Sequence, residues 1–356
     1  MNYMEYSYPL LQRIFEHYDG ISSKHKIANL KLYSCQHLLE PQYRMYKELI
    51  KFGFKPENIA ILGKAYSSNK EIINNLRDLG ISVVQPDFSG SSFDEDHVSN
   101  CKTIVAKISD KDENIILDDG GFLIYEAKDK NILFAVEQTS SGYRKIKDIV
   151  LRFPIFNVAR STIKLTKESP FIGNLICQRL KKYIFDKNIL HPKILIIGLG
   201  SIGSVLLQIL KKEGFTAFGF DVEKDKADMF LYLKEEKPDL VIGATGSPLF
   251  DKEDLNQLTG EHVYHFISVS SSDREFPVAS FRKNTQIHCD VLDRNFVFVN
   301  NGFPVTFKGN RYESLPVDIE KTIGLLMGSI MHGSVYDMSD VRGIQEIPYE
   351  LEAILE

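Results

Sequence analysis

Cysteine is scarce in this chain: Cys35, Cys101, Cys177 and Cys289 are scattered through 356 residues with no paired spacing. The scatter speaks against a disulfide framework and against a zinc site, and it suits a reducing cytoplasm. No long run of one charge occurs. The 43 basic and 48 acidic residues leave a net charge of −5, which argues against nucleic acid or an anionic membrane as partner. Long apolar runs are missing too. The most apolar stretch, around 194–210, is broken by glycine and polar residues, so no transmembrane span is expected. The opening Met-Asn-Tyr-Met-Glu-Tyr has no basic stretch followed by an apolar one, and so does not read as a secretory signal. Internal repeats and low-complexity segments are absent. What remains, 43% hydrophobic and 26% charged residues, is ordinary for a soluble globular protein long enough for two domains.

One segment is far from ordinary. Lys193 to Asp221 reads as an apolar strand, then Gly198, Gly200 and Gly203, then a helix, then a second strand ending on an acid. Gly198 allows a tight turn, Gly200 lets backbone approach a pyrophosphate, and Gly203 lets helix pack closely on strand. Ser201 and Ile202 open the helix, whose N–H groups and dipole favour an anion. Asp221 stands where a carboxylate bonds a ribose 2′-OH and repels a 2′-phosphate, which favours NAD over NADP. A third strand, Asp239 to Ile242, leads into Gly243, Ala244, Thr245 and Gly246, small residues suited to the edge of a cofactor crevice.

The first half also alternates strand and helix. Strands are expected at Leu30–Ser34, Asn58–Leu62, Ile81–Val84, Asn114–Leu117 and Ile132–Val136, a pattern that implies a doubly wound parallel sheet. Ligands of such sheets bind beyond the carboxyl ends of the strands. The residues there are Cys35-Gln36-His37, Asp118-Asp119-Gly120-Gly121 and Glu137-Gln138-Thr139. After Phe276, short strands are expected at Gln286–Cys289, Asn295–Asn300 and Val305–Phe307, and then an apolar helix, Val317–Met331. The whole reads as α/β, two Rossmann-like domains with the chemistry in a cleft between them. Residues 1–168 plus 312–356 would bind substrate, and 169–311 would bind NAD.

In this order, Asp118-Asp119-Gly-Gly, Val-Glu137-Gln138-Thr-Ser-Ser-Gly142, Asn157-Val-Ala159-Arg-Ser161-Thr-Ile-Lys164 and the glycine fingerprint with Asp221 resemble the S-adenosylhomocysteine hydrolases. The resemblance spans roughly 20–330 and implies a homo-oligomer, a dimer or tetramer. It also implies tightly held NAD that takes a hydride from the ribose 3′-carbon of a nucleoside thioether and later returns it. On this resemblance Lys164 assists removal of the 3′-OH proton, which a lysine does only if burial or a cationic neighbour lowers its pKa. His37 and Asp119 would serve proton transfer near the 4′ and 5′ carbons, and Glu168 would stand where the family has an aspartate. Gln138, Ser161 and Ser271 would line the substrate pocket.

The departures from that family are chemical. Gln138 replaces a second glutamate, Ala159 an asparagine and Ser271 a histidine, while Leu39, Glu40 or Pro41 and the segment 312–316 stand where the family holds adenine. Buried hydrogen-bond partners set specificity steeply, so an altered substrate pocket is expected. Two alternatives stay open: a simple NAD-dependent dehydrogenase with net NADH release, and a catalytically inactive NAD-binding regulator.

Overall fold

The computed structural model describes residues 7–21, 23–221, 226–258, 260–270, 272–311 and 316–356. The chain divides into two compact units, one of Met1–Asp87, His97–Glu168 and Gly309–Glu356, the other of Phe88–Asp96 and Ser169–Lys308. Both are α/β. Among the described residues no helix is long and apolar enough to cross a membrane.

The first unit is built on β1 (Lys31–Leu38), β2 (Ile59–Ser68), β3 (Ser82–Val84), β4 (Asn114–Asp118), β5 (Ile132–Glu137) and β6 (Pro154–Asn157). A late strand, β13 in chain order (Gly343–Gln345), completes a seven-stranded sheet of order β13-β6-β5-β4-β1-β2-β3. Every pairing in it is parallel. Strands such as Ile115-Ile116-Leu117 are buried on both faces, as a sheet covered by helices on both sides requires. The helix Glu40–Phe52 buries Met45, Tyr46, Leu49 and Phe52 at helical spacing, and Gly53 stops it at φ 132°. The apolar helix Pro316–Val335 belongs to this unit. Its glycines let neighbours close in: a Cβ on Gly328 would lie 2.2 Å from Leu351, and one on Gly333 2.7 Å from Phe134.

The second unit carries β7 (Lys193–Ile197), β8 (Thr216–Phe220), β9 (Leu240–Gly243), β10 (Tyr264–Ser268), β11 (Val291–Asp293) and β12 (Phe296–Phe298), in the order β11-β12-β10-β9-β7-β8. All pairings are parallel except the β11–β12 hairpin. Phenylalanines fill one face, with Phe266 stacked on Phe298 at 5.4 Å between ring centroids.

Several sequence expectations are corrected. β1 runs through Gln36 and His37 to Leu38, because pairing with an equally extended β2 continues to the register pair Leu38–Ser68. His37 is therefore on a strand, not in the loop after it. No strand forms at 286–289 or 305–307. Instead β11 turns back on β12 through Arg294, at φ 50°. The strands β6 and β13, four and three residues long, were too short to leave a periodic signal. Phe88–Asp96, read as part of the first domain, belongs with the second unit. Asp94 pairs with Arg274 at 2.9 Å, Arg282 donates to the carbonyls of Gly90 and Ser91, and Phe88 and Phe93 pack on Phe303.

Candidate active site

In the second unit β7 lies between β8 and β9, so the polypeptide goes first to one side and then to the other. Such a switch point opens a crevice at the carboxyl ends of the strands. Gly198 leaves β7 at φ 101°, and a Cβ on it would lie 2.6 Å from the Thr245 side chain. A Cβ on Gly203 would lie 1.8 Å from the Gly198 carbonyl oxygen. Gly200 differs, since nothing comes within 4 Å of the place its Cβ would take. It caps the helix Ser201–Lys212 without a side-chain acceptor, and the first N–H groups of a helix, here those from Ser201, Ile202 and Gly203, have no partner inside it. Asp221 follows β8, whose last residue pairs in register with Ile197. These features fit a dinucleotide: an open space over a helix N-terminus, with an acid at the end of the adjoining strand.

Ala244, Thr245 and Gly246 follow β9 as expected, but two of their amides are already occupied. The Glu275 carboxylate accepts from the N–H of Thr245 at 2.6 Å and of Gly246 at 3.0 Å, and from the Ser268 hydroxyl at 2.7 Å. Fully buried Glu275 is a residue that the sequence reading missed. The signal was an acid two residues after Asp273 in a loop otherwise read as serine-rich. Ser271 lies outside the described residues.

In the first unit the switch point falls between β1 and β4. His37 of β1 and Asp119 at the end of β4 meet there, with Nε2 and Oδ2 3.4 Å apart and both residues buried. The second oxygen of Asp119 accepts a hydrogen bond from Lys64 of β2, a lysine only 3% exposed. Burial lowers the His37 imidazole to about 4, with the Asp119 carboxylate only partly offsetting it. Burial alone would raise Asp119, yet Lys64, His37 and Lys164 together hold it below the usual carboxylate range. Burial would likewise lower Lys64, but Asp119, Tyr66 and Cys35 together outweigh that and the ammonium is held charged. The sequence reading missed Lys64 altogether.

Lys164 and Glu168 lie in one π-type turn, Lys164–Glu168, with Nζ 3.0 Å from both carboxylate oxygens. The Thr322 hydroxyl donates to the same carboxylate. Lys164 is near enough to His37 and Asp119 to act on both electrostatically. Four of the expected residues, His37, Asp119, Lys164 and Glu168, thus form one charged group in the first unit. Ser161 is less available than expected, since its hydroxyl donates to the Val158 carbonyl at 2.9 Å and accepts from the Lys164 amide at 3.3 Å. With Asn157, Arg160 and Tyr143 it lines a cavity of about 440 Å³.

The neighbouring polar atoms of this strand edge are conspicuously unpartnered. Both amide atoms of fully buried Gln36, Asp118 Oδ1, Glu137 Oε2, Gln138 Oε1 and Asn157 Oδ1 have no hydrogen-bond partner. Buried polar groups normally find one, so a cluster of exceptions marks a place for ligand or ordered water. Burial raises Asp118 to about 6. Burial and the charge of Asp118 raise Glu137 well above the usual carboxylate range. The edge therefore combines a carboxylate held ionised, two acids whose burial disfavours ionisation, a charged lysine and open amide groups, a set able to orient hydroxyls and move protons.

No family model matches the sequence. Two uncharacterized proteins of Mycobacterium tuberculosis, from strains CDC 1551 and H37Rv, are each 30% identical over 331 residues, covering 85% of this chain. The chain spans 64% of the length of these curated relatives. Among solved structures, a dipicolinate synthase from Bacillus subtilis aligns at 9% identity and TM-score 0.32, over 94% of that protein and 85% of this one. A 2-hydroxyacid dehydrogenase from Ketogulonicigenium vulgare aligns at 13% identity and TM-score 0.35, over 93% of its own length and 78% of this protein's. A methylenetetrahydrofolate dehydrogenase-cyclohydrolase from Trypanosoma brucei aligns at 10% and 0.29, over 95% and 92% in the same order. Likeness this distant is compatible with many chemistries.

Proposed function

We propose that this chain is an NAD-dependent oxidoreductase acting on a ribose-type hydroxyl of a nucleoside thioether or related small molecule, with the dinucleotide tightly held. The observation that carries this reading is the contrast between two glycines of one loop. Gly203 is closed in by the Gly198 carbonyl, while Gly200 faces open space at a helix N-terminus. A packing turn needs only the first, and a pyrophosphate needs both. Ser201, Ile202 and Gly203 would present N–H groups to the phosphates, and Asp221 would hold the adenosine ribose. When bound, NAD supplies a hydride acceptor.

The protein's own residues supply position and protons. Lys164, fixed against Glu168 and through it against Thr322, is placed to hold a substrate hydroxyl. Lys64 keeps Asp119 ionised and in place beside His37, which orients that pair toward the reacting end of the substrate. The open amides of Gln36 and Gln138 are suited to hydroxyl groups, since a glutamine both donates and accepts. Gln138 in place of a glutamate supports a pocket different from that of the S-adenosylhomocysteine hydrolases, which the chain otherwise resembles in its Asp118-Asp119, Lys164 and glycine motifs.

The test is to denature the purified protein, before and after incubation with NAD, and to weigh the small molecules released. Bound NAD or NADH is expected, and no retained dinucleotide would overturn the reading. Lys164→Ala should keep the dinucleotide and lose its reduction by nucleosides. Reduction at an unchanged rate would remove Lys164 from the chemistry, and steady release of NADH would turn the reading toward a simple dehydrogenase.

A further inference from the structure

Behind β1, on the apolar side of the first unit, three soft side chains that are far apart in sequence come together. Cys35 of β1, and His97 and Cys101 of the helix Phe93–Val105, are all buried, with ligand atoms within 4.8 Å of one another. Cys35 Sγ stands 3.3 Å from His97 Nε2, and its thiol is also hydrogen-bonded to that of Cys101. His97 and Cys101 are four residues apart, so they share one helix face, turned here toward the strand. Ile104, Ile116, Phe122 and Leu123 belong to the same buried cluster, and the Phe122 ring meets His97 edge-on at 5.2 Å.

We propose that Cys35, His97 and Cys101 form a binding site for a thiolate-preferring d10 cation, zinc in the first instance. Zn–S bonds of about 2.3 Å and Zn–N bonds of about 2.0 Å at tetrahedral angles put ligand atoms about 3.5–3.8 Å apart. The 3.3 Å between Cys35 Sγ and His97 Nε2 lies just under that range, and the Cys101 sulfur is within 4.8 Å of both. Two thiolates and a divalent cation sum to zero, so the bound set is buried without net charge, which the apolar surroundings require. Thiolate and imidazole ligands select zinc or copper(I) over the hard cations magnesium and calcium. Three protein ligands leave one tetrahedral position for a water molecule, and because all three are buried in the apolar cluster the role assigned is structural rather than catalytic. It would fasten the helix to β1 two residues before His37. Both cysteines release their protons to solvent as the metal enters. Sequence spacing hid the site, because Cys35 and His97 are 62 positions apart.

The test is independent of dinucleotide binding. The reduced, chelator-stripped protein is mixed with zinc chloride, passed through gel filtration and measured for metal by plasma mass spectrometry. One zinc per molecule is expected for the native sequence, with loss in Cys101→Val, which keeps the core apolar. Substoichiometric zinc in the native protein, or equal zinc in the variant, would overturn the proposal. If Cys101→Val does not fold, cobalt(II) in the native protein decides: thiolate-to-cobalt absorption is expected, and its absence refutes the site. Mild oxidation that removes two hydrogens from the metal-stripped protein, with no zinc taken up by the reduced one, would assign the cysteines to disulfide chemistry and overturn the metal.

Discussion

A side chain on Gly203 would have to occupy the space of the Gly198 carbonyl oxygen, 1.8 Å from its Cβ, while one on Gly200 would meet no protein atom within 4 Å. The two glycines should therefore fail in different ways. Gly203→Ala should destabilise the second unit by about 1–3 kcal/mol, the usual cost of overpacking, read as a lower urea midpoint. Gly200→Val should leave that midpoint unchanged and abolish NAD binding, measured by calorimetry. Retained affinity in Gly200→Val would remove the pyrophosphate from this turn.

Lys64→Met leaves Asp119 buried with His37 beside it and only Lys164, which makes no direct bond to it, as a remaining cation. Removing one member of a buried ion pair typically costs about 3–5 kcal/mol. Chemical denaturation should show a loss of that order, and adding Asp119→Asn should recover part of it. A loss equal in the single and double variants would mean that Lys64 stabilises by packing alone.

Glu137→Gln should be neutral or stabilising at neutral pH. Burial raises this acid well above its ordinary 4.5, so the fold favours its protonated form. That preference supports stability below the unfolded value and is lost as pH rises through the folded one. The glutamine keeps an oxygen for the Gly120 and Thr139 amides, now met by Glu137 Oε1 at 3.2 and 2.7 Å. The variant's advantage should widen toward alkaline pH in thermal melts, and a difference that stays constant with pH would contradict burial of the acid as its cause.

The histidines should act on the acid side. Burial lowers His265 in the second unit and His332 in the first below 6.5. Their neutral forms are favoured by the fold, so their contribution is complete above 6.5 and is lost as pH falls toward the folded values. His265→Gln should flatten the decline in stability between neutral pH and about pH 5. An unchanged slope would show that other groups control it.

The features legible in the sequence were those written within a few residues. Gly198, Gly200 and Gly203 lie between a strand and a helix that announce themselves by apolar pattern, and Asp118-Asp119 ends a strand of isoleucine and leucine. Lys64 was not legible. It follows Ile-Ala-Ile-Leu-Gly in β2, and its partner Asp119 is 55 positions on, so nothing local distinguishes it from a lysine at a strand end. The same holds for Cys35 and His97. Gln36 and His37 were placed in a loop because the apolar run stops at Ser34, whereas hydrogen bonding to β2 carries the strand further. The short hairpin of β11 and β12 turns through Arg294, a residue that sequence rules do not associate with positive φ.

The first unit is assembled from three separate stretches of polypeptide, with residues 169–308 made before the last of them. While the ribosome is still at work, Phe134 lacks the helix that meets it at Gly333, and β6 lacks its outer neighbour β13. The second unit has all its strands by residue 298. Synthesis thus delivers a complete nucleotide-type sheet while the other still exposes apolar surface and an unpaired edge, the condition under which nascent proteins aggregate. The newborn protein's dependence on chaperones should be concentrated in that interval, and should end when the helix Pro316–Val335 has docked and β13 has paired with β6.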